Sequence, residues 1–375
     1  MRVARALGSP VSAVSAHKYS HIQQFRGNRI ITRSISAFKS EFEIFNDVQP
    51  LRLFRRALLQ SDRTVGLVPT MGALHDGHLS LVRMAAAENS DVVVTIYVNP
   101  TQFGVNEDLA TYPKTWKEDL KLLESVDREL ASAGKGRITA IFAPSTRTMY
   151  PSLPPSSEVD GKGSFVTITP IAELLEGASR PVFFRGVATV CMKLFNIVQP
   201  ERVYFGQKDV QQTVIIRRMV QDFHLPLEVR IGETKREEDG LAMSSRNVYL
   251  GARRREVAVV LSQALFGAEA QYLKGKRSRA DILWVANDVV NKRMERQEGL
   301  MPEKRAKFEV DYISLADPES LEEVEEVDPS KGAVLSGAIK MQPLEDPQDG
   351  EDCGLGGGIG TVRLIDNIIL KPVTV

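Results

Sequence analysis

From residue 65 onward, short β-branched runs alternate with segments of helical periodicity, and this alternation restricts the fold more than any other feature. Val65 to Pro69, Val92 to Val98, Ile138 to Ala143, Arg202 to Phe205 and Leu227 to Ile231 have the length and composition of buried strands. Between them, residues 77–88, 114–126, 186–198 and 209–222 repeat apolar positions every three or four residues. Strands separated by helices cannot pair as hairpins; they pair in parallel, through crossovers that cover the sheet. The expected class is therefore α/β, a Rossmann-like doubly wound parallel sheet, with chemistry at the carboxyl ends of its strands.

Beyond Leu250 the pattern changes to long charged helices, about 252–274 and 278–297, followed by strands near Phe308 to Ser314, Ala333 to Ile339 and Thr361 to Leu370. This reads as a smaller C-terminal α+β domain over 248–375, after a catalytic domain over 41–247. Two acidic stretches, Glu319 to Asp328 and Glu345 to Asp352, read as solvated loops. The second runs into a Gly-rich segment, so that 342–360 reads as an insertion. A Pro- and Ser-rich stretch from Tyr150 to Gly163 leads into Ser164 to Thr169, which alternates like a half-exposed strand forming one wall of a site.

Residues 1–40 differ from the rest. They hold seven basic residues, seven serines and no Asp or Glu, the bias of a mitochondrial transit peptide; an ordinary basic tail in a cytoplasmic protein is the alternative. The whole chain balances 48 basic against 48 acidic residues, which argues against a general nucleic-acid binder. No apolar run reaches membrane-spanning length. The two cysteines, Cys191 and Cys353, are too few for a disulfide framework and suit a reducing compartment, with Cys191 a buried hydrophobe.

Three runs carry chemistry. Met71-Gly72-Ala73-Leu74-His75-Asp76-Gly77-His78 joins the first strand to the first helix. His75 and His78 share one face of a helical first turn, where free N–H groups and the helix dipole favour anions, and Gly77 lets a ligand approach the backbone. Imidazoles there can donate hydrogen bonds to phosphate oxygens. A zinc site is not indicated, because the pair lacks a third ligand. His224 reads as a surface or capping residue. The second run, Gly206-Gln207-Lys208-Asp209, again links a strand end to a helix. Lys208 suits a phosphate, Asp209 a helix cap or a magnesium ion, and Gln212 a polar substrate. In the third, Met243-Ser244-Ser245-Arg246, adjacent hydroxyls and a guanidinium provide donors for a triphosphate, without the glycine elbow of a serine nucleophile.

With VNPTQFG at 98–104, YPKTWKEDL at 112–120, LEGASRP at 175–181, FRGVATV at 184–190 and RLIDN at 363–367, these runs closely resemble the pantothenate synthetase (pantoate–β-alanine ligase) family of the nucleotidyltransferase superfamily. The resemblance implies ligation of pantoate and β-alanine to pantothenate by way of a pantoyl adenylate, with ATP as co-substrate, Mg2+ as cofactor and a homodimer as the assembly. It implies that residues 71–78, Gly206 to Asp209, Lys235 (through its backbone) and Met243 to Arg246 bind ATP. His78, His75, Lys208 and Arg246 would act on the reacting phosphates. Gln102 and Gln212 would hold pantoate, Gln102 also reaching β-alanine, and Asp119 and Asp209 would be magnesium ligands.

The chain departs from the family pattern in several places. Phe183 stands where many members have His, Gln207 replaces a common Glu, and 124–137 and 342–360 are longer than in compact members. The alternatives are another adenylate-forming nucleotidyltransferase of this fold, which Gln102 and Gln212 disfavour, and an inactive ATP-binding homologue, which the retained histidines, Lys208 and Ser-Ser-Arg run disfavour.

Overall fold

The computed structural model describes residues 42–105, 107–152 and 154–373, so the leader expected over 1–40 lies outside the described residues. Six strands form the larger sheet: β1 (Glu43–Phe45), β2 (Val65–Thr70), β3 (Asp91–Ile96), β4 (Arg137–Phe142), β5 (Arg202–Gly206) and β6 (Glu228–Gly232). Their order is β1-β4-β3-β2-β5-β6, with every pairing parallel. The helices preceding and connecting them are α1 (Val48–Gln60), α2 (Asp76–Glu88), α3 (Trp116–Ser132), the single turns α4 (Thr146–Met149) and α5 (Glu176–Ser179), α6 (Phe183–Val198) and α7 (Val210–Asp222).

Strand alternation explains how both faces are covered. Leu67 and Val93 point to the side packed by α1, α6 and α7, while Val68, Val92 and Val94 point to the side packed by α2 and α3. Apolar side chains on both sides are what produce nearly continuous hydrophobic strands in the sequence. From central β2 the chain moves outward through β3 and β4, then returns to add β5 and β6 on the other side. The crevice at such a reversal lies beyond the carboxyl ends of β2 and β5, where the first two motifs begin.

After β6 come α8 (Gly251–Ala258), α9 (Val260–Leu273) and α10 (Arg279–Glu298), then the antiparallel sheet β7 (Phe308–Ala316), β8 (Ala333–Met341) and β9 (Val362–Leu370). Leu261, Leu265 and Ile282 of the helices share a buried cluster with Leu335, Ile339 and Leu364 of the sheet. Each such side chain contributes about 1.5–3 kcal/mol by leaving water.

Three sequence expectations need correction. The helix expected over 252–274 is divided at Val259 into α8 and α9. Ser164 to Thr169 joins no strand and lines neither of the two cavities described below; Val166 N–H instead donates to the Thr189 hydroxyl of α6 at 2.9 Å, with no neighbouring strand to supply a ladder. The acidic stretch Glu345 to Asp352 is not simply solvated, since Glu351 pairs with Arg253 and Glu345 with Arg305 and Lys307.

Candidate active site

The β2 strand ends at Thr70, and the next turn is held by a single buried carboxylate. Asp119, 1% exposed, accepts from Ala73 N–H at 3.1 Å and Leu74 N–H at 2.8 Å, and the Thr115 hydroxyl donates to it at 3.1 Å. Gly72 N–H is occupied by Thr70 Oγ1 at 3.2 Å. Gly72 has φ +87° and sits so near Asp119 that a Cβ would lie 3.0 Å from its Oδ2. The geometry therefore makes Asp119 the anchor of this turn in place of a metal ligand. Gly72, Ala73 and Leu74 form the turn without lining the cleft.

His75 caps α2. Its Nδ1 accepts from Gly77 N–H at 3.1 Å, while His78 Nδ1 accepts from His75 N–H at 3.4 Å, and the ring centroids lie 4.1 Å apart. Gly77 is required here, because a Cβ would fall 2.8 Å from the His75 ring. Burial, reinforced by the Lys208 charge, lowers the His75 pKa to about 4. Burial and the neighbouring His75 lower that of His78 to about 3. Both rings are thus neutral at pH 7. With each Nδ1 accepting a hydrogen bond, the proton resides on Nε2, so the pair presents two neutral N–H donors.

Across the crevice, β5 ends at Gly206 and passes into a 3-10 turn, Gln207–Asp209. Asp209 occupies the N-cap position of α7 without making a capping hydrogen bond; its carboxylate lies 3.5 Å from Lys208 Nζ. The turn is clamped from the second sheet. Asn367 of β9, buried, donates its amide to the carbonyls of Gln207 and Lys208 at 2.8 Å each, and Gln207 Nε2 returns a bond to Asn367 Oδ1 at 3.3 Å. Next to it, Asp366 receives a bidentate pair from Arg236 at 2.6 and 2.9 Å.

Met243 to Arg246 completes the ring. Met243 N–H donates to Lys235 O at 2.9 Å, Ser245 Oγ donates to Ala73 O at 2.9 Å, and Ser244 Oγ accepts from Arg246 N–H at 3.3 Å. The third motif loop is therefore attached to the first. Arg246 donates Nε and Nη2 to the two oxygens of Asp108, both at 2.9 Å, a fork geometry that lysine could not reproduce. Burial opposes the charge, yet the Asp108 hydrogen bonds and charge raise the Arg246 pKa.

Met71, His75, Gly77, His78, Gln102, Gly206, Lys208, Asp209, Gln212, Lys235 and Met243 to Arg246 line one cleft of about 220 Å³. A larger cavity of about 1010 Å³ shares Arg180, Phe183, Lys208, Asp209, Ser244 and Arg246 with it and extends to β9. Asp76 and Gln207 line neither. The two glutamines at 211 and 212 differ in use: Gln211 is buried, donating to Ile171 O and Leu174 O at 2.8 and 2.7 Å, while Gln212 faces the cleft. Gln102 Oε1 accepts from Asn99 Nδ2 at 3.1 Å, which leaves its own amide donors for a ligand.

The model of the family described as pantoate-beta-alanine ligase matches residues 43–369. The chain belongs to this family. A pantothenate synthetase of Roseiflexus castenholzii is 45% identical over 318 residues, 85% of this chain and 96% of that protein. The crystal structure of the Thermus thermophilus pantothenate synthetase superposes with a TM-score of 0.68 at 35% identity, covering 87% of this chain and 99% of that one. A pantoate-beta-alanine ligase from Francisella tularensis, solved with beta-gamma ATP and beta-alanine, gives a TM-score of 0.62 at 28% identity, over 88% of this chain and all of that one. As a pantoate–β-alanine ligase the chain is an enzyme, and it has the parallel-sheet fold of these structures.

Several residues that organise the ligase site had no signal of their own in the sequence reading. Asp108, which holds Arg246, lies in an unremarkable loop. Asn99 stands inside VNPTQFG, yet its role emerges only in three dimensions: its Oδ1 accepts from the Tyr150 hydroxyl at 2.7 Å and the Thr101 hydroxyl at 3.1 Å, while its amide orients Gln102. Phe183, where the resemblance leads us to expect His, lies beneath Arg180, whose guanidinium is 3.7 Å from the ring centroid. Arg180 in turn bridges Glu107 and Glu176. Cys191 is buried and its thiol is pushed up to about 12 by desolvation, and His224 is an exposed residue at the end of α7 with φ +50°.

Proposed function

We propose that this ligase works through a pantoyl adenylate formed in the cleft between β2 and β5. In the first step a pantoate carboxylate oxygen bonds to the α-phosphorus of ATP and the bridging bond to the β-phosphate breaks, releasing pyrophosphate. In the second, the amine of β-alanine attacks the acyl carbon and loses a proton, and AMP departs. Displacement at phosphorus is accelerated mainly by positioning and charge stabilisation.

The observation that carries this reading is the convergence of two neutral Nε2–H donors, Lys208, and the Ser244 and Arg246 donors on one cleft that also holds Gln102 and Gln212, with the Ser245 hydroxyl tying their loop to Ala73 O. His78 and His75 donate to the α-phosphate oxygens as negative charge accumulates. A neutral imidazole suits this task, since it stabilises the developing charge without surrendering a proton. Lys208 and Arg246 neutralise the β- and γ-phosphates, and Met71, Gly77 and Lys235 border the nucleotide. Gln102 and Gln212 hydrogen-bond pantoate and set its carboxylate in line with the α-phosphorus.

Asp209 suits Mg2+. It lines the cleft, as Glu233 does, and makes no capping bond, and Mg2+ is commonly held by one or two carboxylates together with phosphate oxygens and water. Bound there, the ion would supply charge neutralisation at the triphosphate. Further parts of the proposal are the 41–247 catalytic and 248–375 lid division, a homodimer, and mitochondrial targeting by residues 1–40, supported by composition. A reporter fused to 1–40 that stayed in the cytosol would exclude the targeting.

Purified protein given ATP, pantoate and β-alanine should yield AMP, pyrophosphate and pantothenate in equal amounts. Absence of pantoate-dependent pyrophosphate release overturns the adenylate route.

A further inference from the structure

The insertion between β8 and β9 is docked on the chain that follows Arg246. Leu355 N–H donates to Val248 O at 2.8 Å, and Ala252 N–H donates to Asp352 O at 3.0 Å. Two glycines interlock at this contact. Gly354, at φ +76°, lies so close that a Cβ would come within 2.5 Å of Tyr249 O, and Gly251, at φ +62°, so close that a Cβ would come within 2.4 Å of Asp352 O. No larger residue fits either position without moving backbone.

Arg254 fastens the junction. It is 1% exposed and donates to Leu250 O at 3.0 Å, to Gly360 O at 2.7 Å, to Cys353 O at 3.4 Å and to Tyr249 O. Desolvation lowers its pKa, while its hydrogen-bond partners among the described residues are backbone carbonyls. Beside it, Arg253 makes a bidentate pair with Glu351 at 2.8 and 2.5 Å. On its other side the insertion presents Leu355, Gly356, Ile359 and Gly360 to the larger cavity. The turn held in this way, Ser245–Tyr249, is the one that carries Arg246.

We propose that the 342–361 insertion is a brace for the triphosphate loop, with Arg254 as its positioning residue. It keeps Ser244 to Arg246 in the conformation that receives the phosphates, without touching the nucleotide. This inference rests on the ATP-binding role proposed above for that loop. A loop already in its competent conformation binds at its intrinsic affinity, whereas one that visits it a tenth of the time binds about tenfold more weakly.

The fold supplies a clean test. Met341 and Val362 are direct antiparallel partners, so replacing 342–361 by Asn-Gly closes the β8–β9 hairpin with a two-residue turn. The full chain, the excised variant and Arg254→Met are compared by steady-state kinetics and by calorimetric titration with ATP. Excision and Arg254→Met should each raise KM and Kd for ATP about tenfold, while KM for pantoate, which Gln102 and Gln212 hold, stays within about twofold. An ATP Kd within about twofold of the parent in the folded excised variant overturns the brace. So does failure of that variant to fold by circular dichroism, because the insertion would then serve stability alone. The titration needs no turnover, so a parent chain that binds ATP without ligating pantoate would refute the ligase route and leave the brace to be judged by its own affinity ratio.

Discussion

Two loops of the cleft, Thr70 to His78 and Met243 to Leu250, meet at one hydrogen bond, Ser245 to Ala73, but they are held by opposite means. The first, Thr70 to His78, is largely self-contained: the His75 ring accepts from Gly77 N–H, the His78 ring accepts from His75 N–H, and one carboxylate from α3 secures the turn. The second, Met243 to Leu250, depends on distant parts of the chain. Asp108 grips Arg246, the Tyr249 hydroxyl donates to Thr111 O at 2.7 Å, Leu355 N–H of the 342–361 insertion donates to Val248 O, and Arg254 of α8 donates to Tyr249 O. Local hydrogen bonds make a rigid turn, so the anion site proposed there is formed before ligand arrives. Long-range ones make a loop whose position can be altered without disturbing the core.

This contrast can be broken experimentally, beginning with the first loop. His78→Ala should lower kcat by on the order of 10²–10³, as loss of one transition-state donor does, with ATP Kd little changed; near-normal turnover in a pyrophosphate-release assay would remove His78 from the mechanism. Asp119→Ala strands the Ala73 and Leu74 N–H groups in a buried turn. It should cost about 2–4 kcal/mol of stability in urea unfolding together with most activity, because both depend on the same turn.

The histidines also give the first loop a pH signature. Their folded pKa values, about 4 and about 3, lie below the ordinary 6.5, so the unfolded chain binds these protons first. Their neutral burial costs nothing above pH 6.5, and stability falls as pH drops from 6.5 toward 4, by about 2.7 kcal/mol per pH unit where both sites differ in protonation. Urea midpoints measured from pH 7.5 to 4.5 test the slope, and flat His75 and His78 ring shifts in NMR down to pH 5 test its origin.

The second loop should respond more gently and through coupling. Asp108→Asn should raise ATP KM by about tenfold, Arg246→Ala by more, and the double variant no further than Arg246→Ala, since the two side chains act as one unit. Additive losses in this cycle would show that Asp108 acts elsewhere. Smallest of all, Phe183→His restores the common family residue but forfeits the Arg180 stacking, and should lower stability by about 0.5–1 kcal/mol in thermal melts.

Much of this architecture could be read from the chain alone, and the reason differs from element to element. Strands β2 to β5 were legible because burial on both faces demands nearly unbroken apolar runs, and α2, α6 and α7 because one-sided packing imposes helical spacing; β6, expected as a buried strand, is an edge strand with no fully buried residue. The three-residue β1 was not, since an edge strand that short carries no period. Ser164 to Thr169 has a strand-like alternation, yet alternation describes which side chains are apolar and says nothing of whether another strand lies alongside. At the site, His75, Gly77, His78, Lys208, Gln212 and Arg246 sit where their motifs meet in one cleft. Asp119 does not: a carboxylate at a helix start reads equally as metal ligand or backbone anchor, and only the two N–H groups facing it decide.

What the order of residues settled unaided was therefore everything governed by local rules: the parallel α/β class, the strand-end position of the motifs, and the hydrogen-bond donors those motifs carry. The protonation of the histidine pair, the grip of Asp108 on Arg246, the different fates of Gln211 and Gln212, and the docking of the 342–361 insertion arise from groups far apart in the chain. Burial, charge proximity and hydrogen-bond partnership across such separations are properties of the packed molecule, and they come into existence only when it folds.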